Sequence, residues 1–195
     1  MLKRFTDIVL SFAGIVILLP FFILIGLLVI SGSRGGAFYL QKRVGRYGKE
    51  FTLYKFRTMY SASDRQGLLT IGARDRRITP AGAFLRRYKL DELPQLFNVF
   101  IGNMSLVGPR PEVKKYVDMY TPEQREILSL KPGITDHASL EYFEENKILG
   151  QSSDPEYTYI NEIMPAKLEL NRQYLASHGF ITDMAIIFKT IGRIF

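Results

Sequence analysis

The chain contains no cysteine. That excludes disulfide staples, thiolate metal sites and a cysteine nucleophile, while leaving the compartment open. Histidine is almost missing too. Only His137 and His178 occur, too few for a histidine-rich metal centre, and each reads first as a surface or capping residue. There are no internal repeats and no linker rich enough to divide the 195 residues, a length that suits one domain with a real core. Charge is absent from one long stretch: none lies between Asp7 and Arg34, and Ile8 to Ile30 is almost all Ile, Leu, Val and Phe.

At 1.5 Å per residue that stretch makes a helix of roughly 35 Å, enough to cross a bilayer. A secretory signal would have a shorter apolar core and a small-residue cleavage site. Length alone favours a single-pass anchor. Two features pull the other way. Pro20 lies mid-segment, where it removes a backbone hydrogen bond and bends a helix, leaving halves of roughly 17 to 20 Å that are each too short to cross. Lys3 and Arg4 precede the segment, while Arg34, Lys42, Arg43 and Arg46 follow it, so the positive-inside tendency draws both ends to one face. A bent hairpin in a single leaflet satisfies both features, and the residues alone leave the two topologies evenly balanced.

Outside this segment cations dominate. A net charge of +7 and a pI near 9.6 point to anionic partners, whether phosphates, acidic headgroups or nucleic acid. Phe38 to Gln41 and Phe51 to Lys55, joined through Gly45 and Tyr47-Gly48, read as a short β-hairpin. Ser61 to Arg77 is polar and reads as a mobile loop. Thr79-Pro80 starts a helix with Thr as N-cap, expected to carry Phe84, Leu85 and Tyr88 on one face. Thr121 with Gln124 starts another, stopped by Lys131-Pro132-Gly133. Pro155 to His178 reads as largely helical, with Pro165 near a junction and Gly179 as a stop. Beyond it Ile181, Met184, Ile187, Phe188, Ile191 and Phe195 recur at helical spacing, as in an ordinary core helix or, favoured beside an apolar anchor, an amphipathic helix lying among headgroups.

The densest chemistry runs from Arg86 to Arg110. Adjacent acids Asp91 and Glu92 sit among Arg86, Arg87, Lys89 and Arg110, with Leu90, Leu93, Leu96 and Phe97 around them. Neighbouring side chains on a helix diverge by about 100°, so the two acids divide labour: one attacks or holds a metal, the other moves a proton or positions a group. Carboxylates with water suit Mg²⁺, and arginine suits a diphosphate. Against this, an acid pair among cations is most often a solvated, salt-bridged face. Gly108-Pro109-Arg110-Pro111 is a stiff loop holding one cation at low entropic cost. Lys55 and Arg57, two apart at a strand end, send a cation inward or bind headgroups.

These residues together resemble the bacterial sugar transferase family, the small monotopic phosphoglycosyltransferases. The resemblance rests on the apolar segment with Pro20, Gln41-Lys42-Arg43-Val44-Gly45, Tyr54-Lys55-Phe56-Arg57-Thr58-Met59 and Arg77-Ile78-Thr79-Pro80. It continues through Leu90-Asp91-Glu92-Leu93-Pro94-Gln95-Leu96-Phe97-Asn98-Val99 and Met104-Ser105-Leu106-Val107-Gly108-Pro109-Arg110-Pro111. It implies a mainly α fold with a small β-hairpin, a re-entrant N-terminal helix-break-helix bent at Pro20, and interfacial amphipathic helices. The expected organisation is one domain over 1–195, with 1–34 as the membrane hairpin and 35–195 as the catalytic part on the cytoplasmic face of the bacterial inner membrane.

The implied reaction moves a phosphosugar from a UDP-sugar to undecaprenyl (polyprenyl) phosphate and releases UMP, in the first membrane step of surface-glycan synthesis. It implies Mg²⁺, with Asp91 as metal ligand and as the nucleophile that forms a covalent phosphosugar intermediate. Glu92 would take the proton of the incoming polyprenyl phosphate. Arg86, Arg110, Lys55 and Arg57 are the expected phosphate-binding positions. Membrane lipids are expected partners, nucleic acid is not, and a homo-oligomer is compatible with the reading. The chain departs from the family in two places. Leu19 precedes Pro20 where many members have Ser, and Asp136-His137-Ala138-Ser139 follows Lys131-Pro132-Gly133-Ile134-Thr135 where members often have Gly and then Gln. The second difference bears on sugar recognition rather than on the reaction. Two rivals remain: a non-catalytic lipid-binding scaffold of the same fold, and a tethered nucleic-acid binder, which lacks both a motif and a stacking pattern of aromatics among cations.

Overall fold

The structure is a computed structural model that describes residues 2–61, 63, 67, 69–72 and 75–194. The mobile-loop expectation over 61–77 lies partly outside these residues, and so does Phe195 of the C-terminal strip.

The apolar segment forms helix α1, Leu2–Gly32, with Pro20 inside it and helical assignment on both sides of the proline. By length and composition α1 is able to cross a membrane. Its buried residues, Asp7, Ser11, Phe22, Ile25, Gly26 and Val29, fall where the helical period brings them to one side and so form one stripe. The rest of its circumference exposes large apolar side chains such as Phe5, Ile17, Ile23 and Leu27. A stripe this narrow on a helix this apolar means that most of its surface meets no protein.

After α1, β1 (Phe38–Val44) and β2 (Glu50–Phe56) form the expected antiparallel hairpin, in register from Phe38–Phe56 to Val44–Glu50. Tyr47 at the turn has φ 58°. Helix α2 (Pro80–Arg87) is followed by a 3₁₀ turn, Leu90–Glu92, and by α3 (Gln95–Ile101). Phe22, Ile25 and Val29 of α1 pack with Phe56 and Leu85 into a core that Leu93, Leu96 and Phe97 complete. Leu85 is thus the inward residue of α2, whereas Phe84, expected to share its face, is exposed.

Strands β3 (Ser105–Val107) and β4 (Gly133–Thr135) pair in parallel, Ser105 with Gly133 and Val107 with Thr135. Between them lie α4 (Lys114–Val117) and a 3₁₀ helix, Gln124–Ser129. The remainder is helical: α5 (His137–Glu141), α6 (Glu145–Gln151), α7 (Pro155–Thr158), a π turn at Tyr159–Ile163, α8 (Met164–Ser177) and α9 (Phe180–Ile194). Tyr116, Leu149, Tyr159, Ile163 and Leu168 fill the core under these helices. On α9, Asp183 and Ile186 face inward while Ile181, Phe188 and Ile191 are exposed.

Polar contacts fasten both ends of α1 to this body. Near its start, Lys3 Nζ donates to the Val107 carbonyl (3.0 Å), to the Tyr174 hydroxyl (3.2 Å) and to Asp183. Arg4 donates to the carbonyls of Val99 (2.6 Å) and Phe100 (2.8 Å). Asp7 Oδ1 accepts from Ser105 Oγ (3.1 Å) and the Leu106 amide (3.0 Å). At the far end Arg57 grips the last turn. Its Nη2 donates to the carbonyls of Ser33 (2.9 Å) and Val29 (3.5 Å), and its Nη1 to Ser33 Oγ (2.7 Å) and the Arg34 carbonyl (3.0 Å).

Candidate active site

The site begins with how α2 is seated. Thr79 Oγ1 accepts the Gly82 amide at 2.9 Å, with Pro80 in the first turn, the expected cap. A Cβ on Gly82 would lie 2.0 Å from the Thr58 carbonyl, so glycine is what lets α2 press onto the end of β2. That approach brings Arg86 to Thr58: its Nε donates to Thr58 Oγ1 (2.9 Å) and its Nη1 to Thr70 Oγ1 (3.0 Å). After Tyr88 caps α2, Lys89 adopts φ 54°, ψ 20°, the left-handed region that a lysine rarely occupies. This reverses the chain into the Leu90–Glu92 turn and points Asp91 and Glu92 at one cleft of about 320 Å³. The acids therefore sit on a 3₁₀ turn rather than on the regular helix expected.

Glu92 is fully engaged. Arg110 reaches both its oxygens, Nη1 to Oε2 at 3.1 Å and Nη2 to Oε1, and Lys55 Nζ lies 3.5 Å from Oε1. Asp91 differs. It is 7 % exposed, and among the described residues no hydrogen bond or ion pair ends on its carboxylate. The electrostatics follow from this contrast. Burial, reinforced by the Glu92 charge, pushes the Asp91 carboxyl above its ordinary range against the pull of Lys55 and Arg86. Burial acts on Glu92 in the same sense, but Arg110 and Lys55 outweigh it and hold Glu92 well below the usual range. Burial lowers Lys55 to about 8 despite Glu92. Two adjacent carboxylates are thus driven apart, an arrangement that separates catalytic roles.

Arg110 is aimed by a crossing of two backbones. A Cβ on Gly108 would fall 2.3 Å from the Lys131 carbonyl, and one on Gly133 2.1 Å from the Gly108 amide nitrogen, so this contact tolerates only glycine on either side. Asp136, fully buried, adds a second tie. Its Oδ2 accepts the Arg110 amide (3.1 Å) and its Oδ1 the Ser139 amide (2.6 Å). Sequence reasoning missed Asp136 as a site residue. The available signal was an Asp three residues before Ser139, an N-cap pattern joined to the motif loop only through the fold.

Of the expected positions, Asp91, Glu92, Arg86, Lys55 and Arg110 line one cleft. Arg57 lines it too, but its guanidinium is spent on the end of α1 and, through Nε, on the Gly36 carbonyl at 2.7 Å; it fixes the helix rather than offering a phosphate site. Pro20 belongs to α1 and is not part of the cleft wall. Three further cations of the wall are also engaged by acids. Arg43 Nη1 meets Glu112 Oε1 at 2.9 Å, Lys167 Nζ meets Glu145 Oε2 at 2.6 Å, and Arg77 Nε meets Asp75 Oδ1 at 3.0 Å. Tyr159, in the π turn, donates to Glu112 Oε2 at 2.7 Å, and π turns recur at functional sites.

No group of three or more His, Asp or Glu side chains placed to hold a metal occurs among the described residues. A buried, unpaired carboxylate still fits one kind of ion: Mg²⁺ commonly takes one or two carboxylates, keeps several waters and binds substrate phosphates. The cleft thus joins an available oxygen nucleophile to a cationic wall, the equipment for attack on a phosphate.

Comparison with known proteins agrees in kind. A family model described as bacterial sugar transferase matches residues 1–195. A UDP-N-acetylgalactosamine-undecaprenyl-phosphate N-acetylgalactosaminephosphotransferase of Aeromonas hydrophila is 34% identical over 99% of this chain and 43% of its own length. A UDP-glucose:undecaprenyl-phosphate glucose-1-phosphate transferase of Klebsiella pneumoniae is 32% identical over 98% of this chain and 39% of its own. An exopolysaccharide production protein of Rhizobium meliloti is 32% identical over the whole chain and 85% of its own length. The chain spans less than half of the first two.

Proposed function

Because the chain belongs to the bacterial sugar transferase family, we propose that it moves a sugar phosphate from a UDP-sugar to undecaprenyl phosphate in surface-polysaccharide synthesis. The observation that carries this reading is the buried Asp91 carboxylate, left unpaired among the described residues in a wall of cations. In the first step an Asp91 oxygen attacks the phosphorus that bears the sugar. The new O–P bond forms as the bond from that phosphorus to the bridging oxygen breaks, and UMP departs with the electron pair. In the second step an oxygen of the lipid phosphate attacks the same phosphorus and frees Asp91. Taking the two substrates in turn lets one charged pocket serve a water-soluble donor and a lipid-bound acceptor.

Lys55, Arg86 and Arg110 supply positive charge along the phosphates. Glu92 has a different part from proton acceptor. Held well below the ordinary range, it takes up protons poorly near neutrality, and its work is to orient Arg110 and Lys55. Asp91 and the donor phosphates would together hold Mg²⁺, whose charge offsets the repulsion between a carboxylate and a diphosphate.

The membrane reading is monotopic, on the cytoplasmic face, with 1–34 re-entrant. A single span would put the ends of α1 on opposite sides of a core about 30 Å thick, yet residues 3–7 and 29–34 are tied to the same body. Exposed Ile181, Phe188 and Ile191 on α9 and Phe100 and Ile101 on α3 suit the headgroup boundary.

The test is a screen of UDP-sugars for UMP release with undecaprenyl phosphate and Mg²⁺, joined to mass spectrometry of enzyme incubated with donor alone. The expected result is UMP release with at least one donor and a sugar-phosphate adduct on Asp91. An adduct on another residue, or no release with any donor, refutes the proposal.

A further inference from the structure

We infer that Lys89 is a donor-binding residue whose ammonium leaves an aromatic resting place to pair with the phosphates of the nucleoside diphosphate sugar. The inference rests on the reading of the cleft given above and adds a residue to it. Three observations lead there. First, the cations that line the cleft are otherwise held by acids, hydroxyls or carbonyls, whereas no such group among the described residues holds Lys89. Its ammonium lies over the ring of Phe143, 5.0 Å from the centroid. Second, its left-handed backbone is a conformation that persists when the surroundings enforce it, and such residues gather at ligand clamps. Third, it stands two residues before Asp91 and faces the same cleft, so charge there falls on the phosphates that Asp91 would attack.

The exchange is favourable in kind. A cation over a neutral ring is held weakly when partly exposed, and a charge-assisted bond to a phosphate oxygen is stronger. Phe143 is not orphaned by the move, because Arg193 of α9 also packs over its ring at 5.6 Å. A lysine suits this task better than an arginine fork, having a compact charge on a flexible stem.

Three variants of the full chain separate charge from backbone. Lys89→Ala removes the charge and keeps the strain, Lys89→Gly removes both, and Lys89→Arg keeps the charge. With UMP release as readout, Ala and Gly are expected to raise the donor KM by roughly tenfold, leaving kcat and the acceptor KM within about twofold; Arg stays close to wild type. The rise should shrink as salt is added. A Gly variant with wild-type donor KM beside an impaired Ala variant would show that only the backbone matters and overturn the inference. So would unchanged KM in all three, an Arg variant no better than Ala, or a rise confined to the acceptor KM. Should the wild type turn over no UDP-sugar, the transferase reading fails, and calorimetric UDP binding by wild type against Lys89→Ala still decides Lys89: equal affinities refute it.

Discussion

Two buried polar clusters in this protein are built from similar residues and finished differently. Where α1 meets the body, Lys3, Asp7, Ser105, Tyr174 and Asp183 are all engaged: Asp183 receives Lys3 and the Tyr174 hydroxyl (2.6 Å), and Asp7 receives Ser105 and Leu106. In the cleft, Glu92 is saturated in the same way, but Asp91 beside it is bare among the described residues and Lys89 rests on a ring. Burying a polar group without a partner costs stability, and a bare carboxylate costs more than the neutral Gln95 Nε2, Ser139 Oγ and Asn171 Oδ1 that this fold also leaves unpartnered. The closed cluster holds the molecule together; the open one awaits a ligand.

The sharpest way to break this contrast is to neutralise each acid in turn. Asp91→Asn is expected to abolish turnover, a loss of about 10⁴-fold or more, while the protein becomes slightly more stable at pH 7. The sign follows from burial: a carboxyl raised above its unfolded value costs stability once ionised, and that cost is present at neutral pH and relieved as pH falls through the raised value. A drop in melting temperature would contradict it. Asp7→Ala should do the reverse, costing about 3 kcal/mol by stranding Ser105 Oγ and the Leu106 amide. Chemical denaturation measures the loss, and kcat of the folded fraction should change less than about threefold. A smaller effect comes from Lys55. Its ammonium discharges near pH 8, so Glu92 loses one partner and kcat/KM should fall as pH rises through that point. Lys55→Arg, which stays charged, should leave activity near pH 7 nearly unchanged and move the alkaline limb upward; a limb that stays near 8 would assign it to another group.

Much of the local structure was legible because its causes are local. The hairpin of β1 and β2, the Thr79 cap and the Thr121 start each announce themselves within a few residues. Thr121 and Gln124 do form their reciprocal pair, Thr121 N to Gln124 Oε1 at 2.9 Å, although a 3₁₀ helix follows instead of an α-helix. The acids and four of their cationic neighbours were readable as residue types. What stayed hidden depends on partners far along the chain. The β3–β4 pair has three residues per strand and rests on the Gly108–Gly133 crossing, which no period records. Short α5 and α6 carry too few turns to show a pattern. Arg57 reads like Lys55 until the end of α1 arrives to consume it. Ile186 is not among the residues of the α9 strip, yet it is buried, one turn after the Asp183 that Lys3 and Tyr174 hold. The left-handed Lys89 has no signature in a lysine.

The grip of Lys3 on Asp183 spans 180 positions, and this has a bearing on biogenesis. The apolar helix α1 leaves the ribosome well before Asp183 does, so its tie to α9 is made only after the intervening positions have been translated. Until then lipid or a chaperone must shelter it, so a helix translated late locks down one translated early.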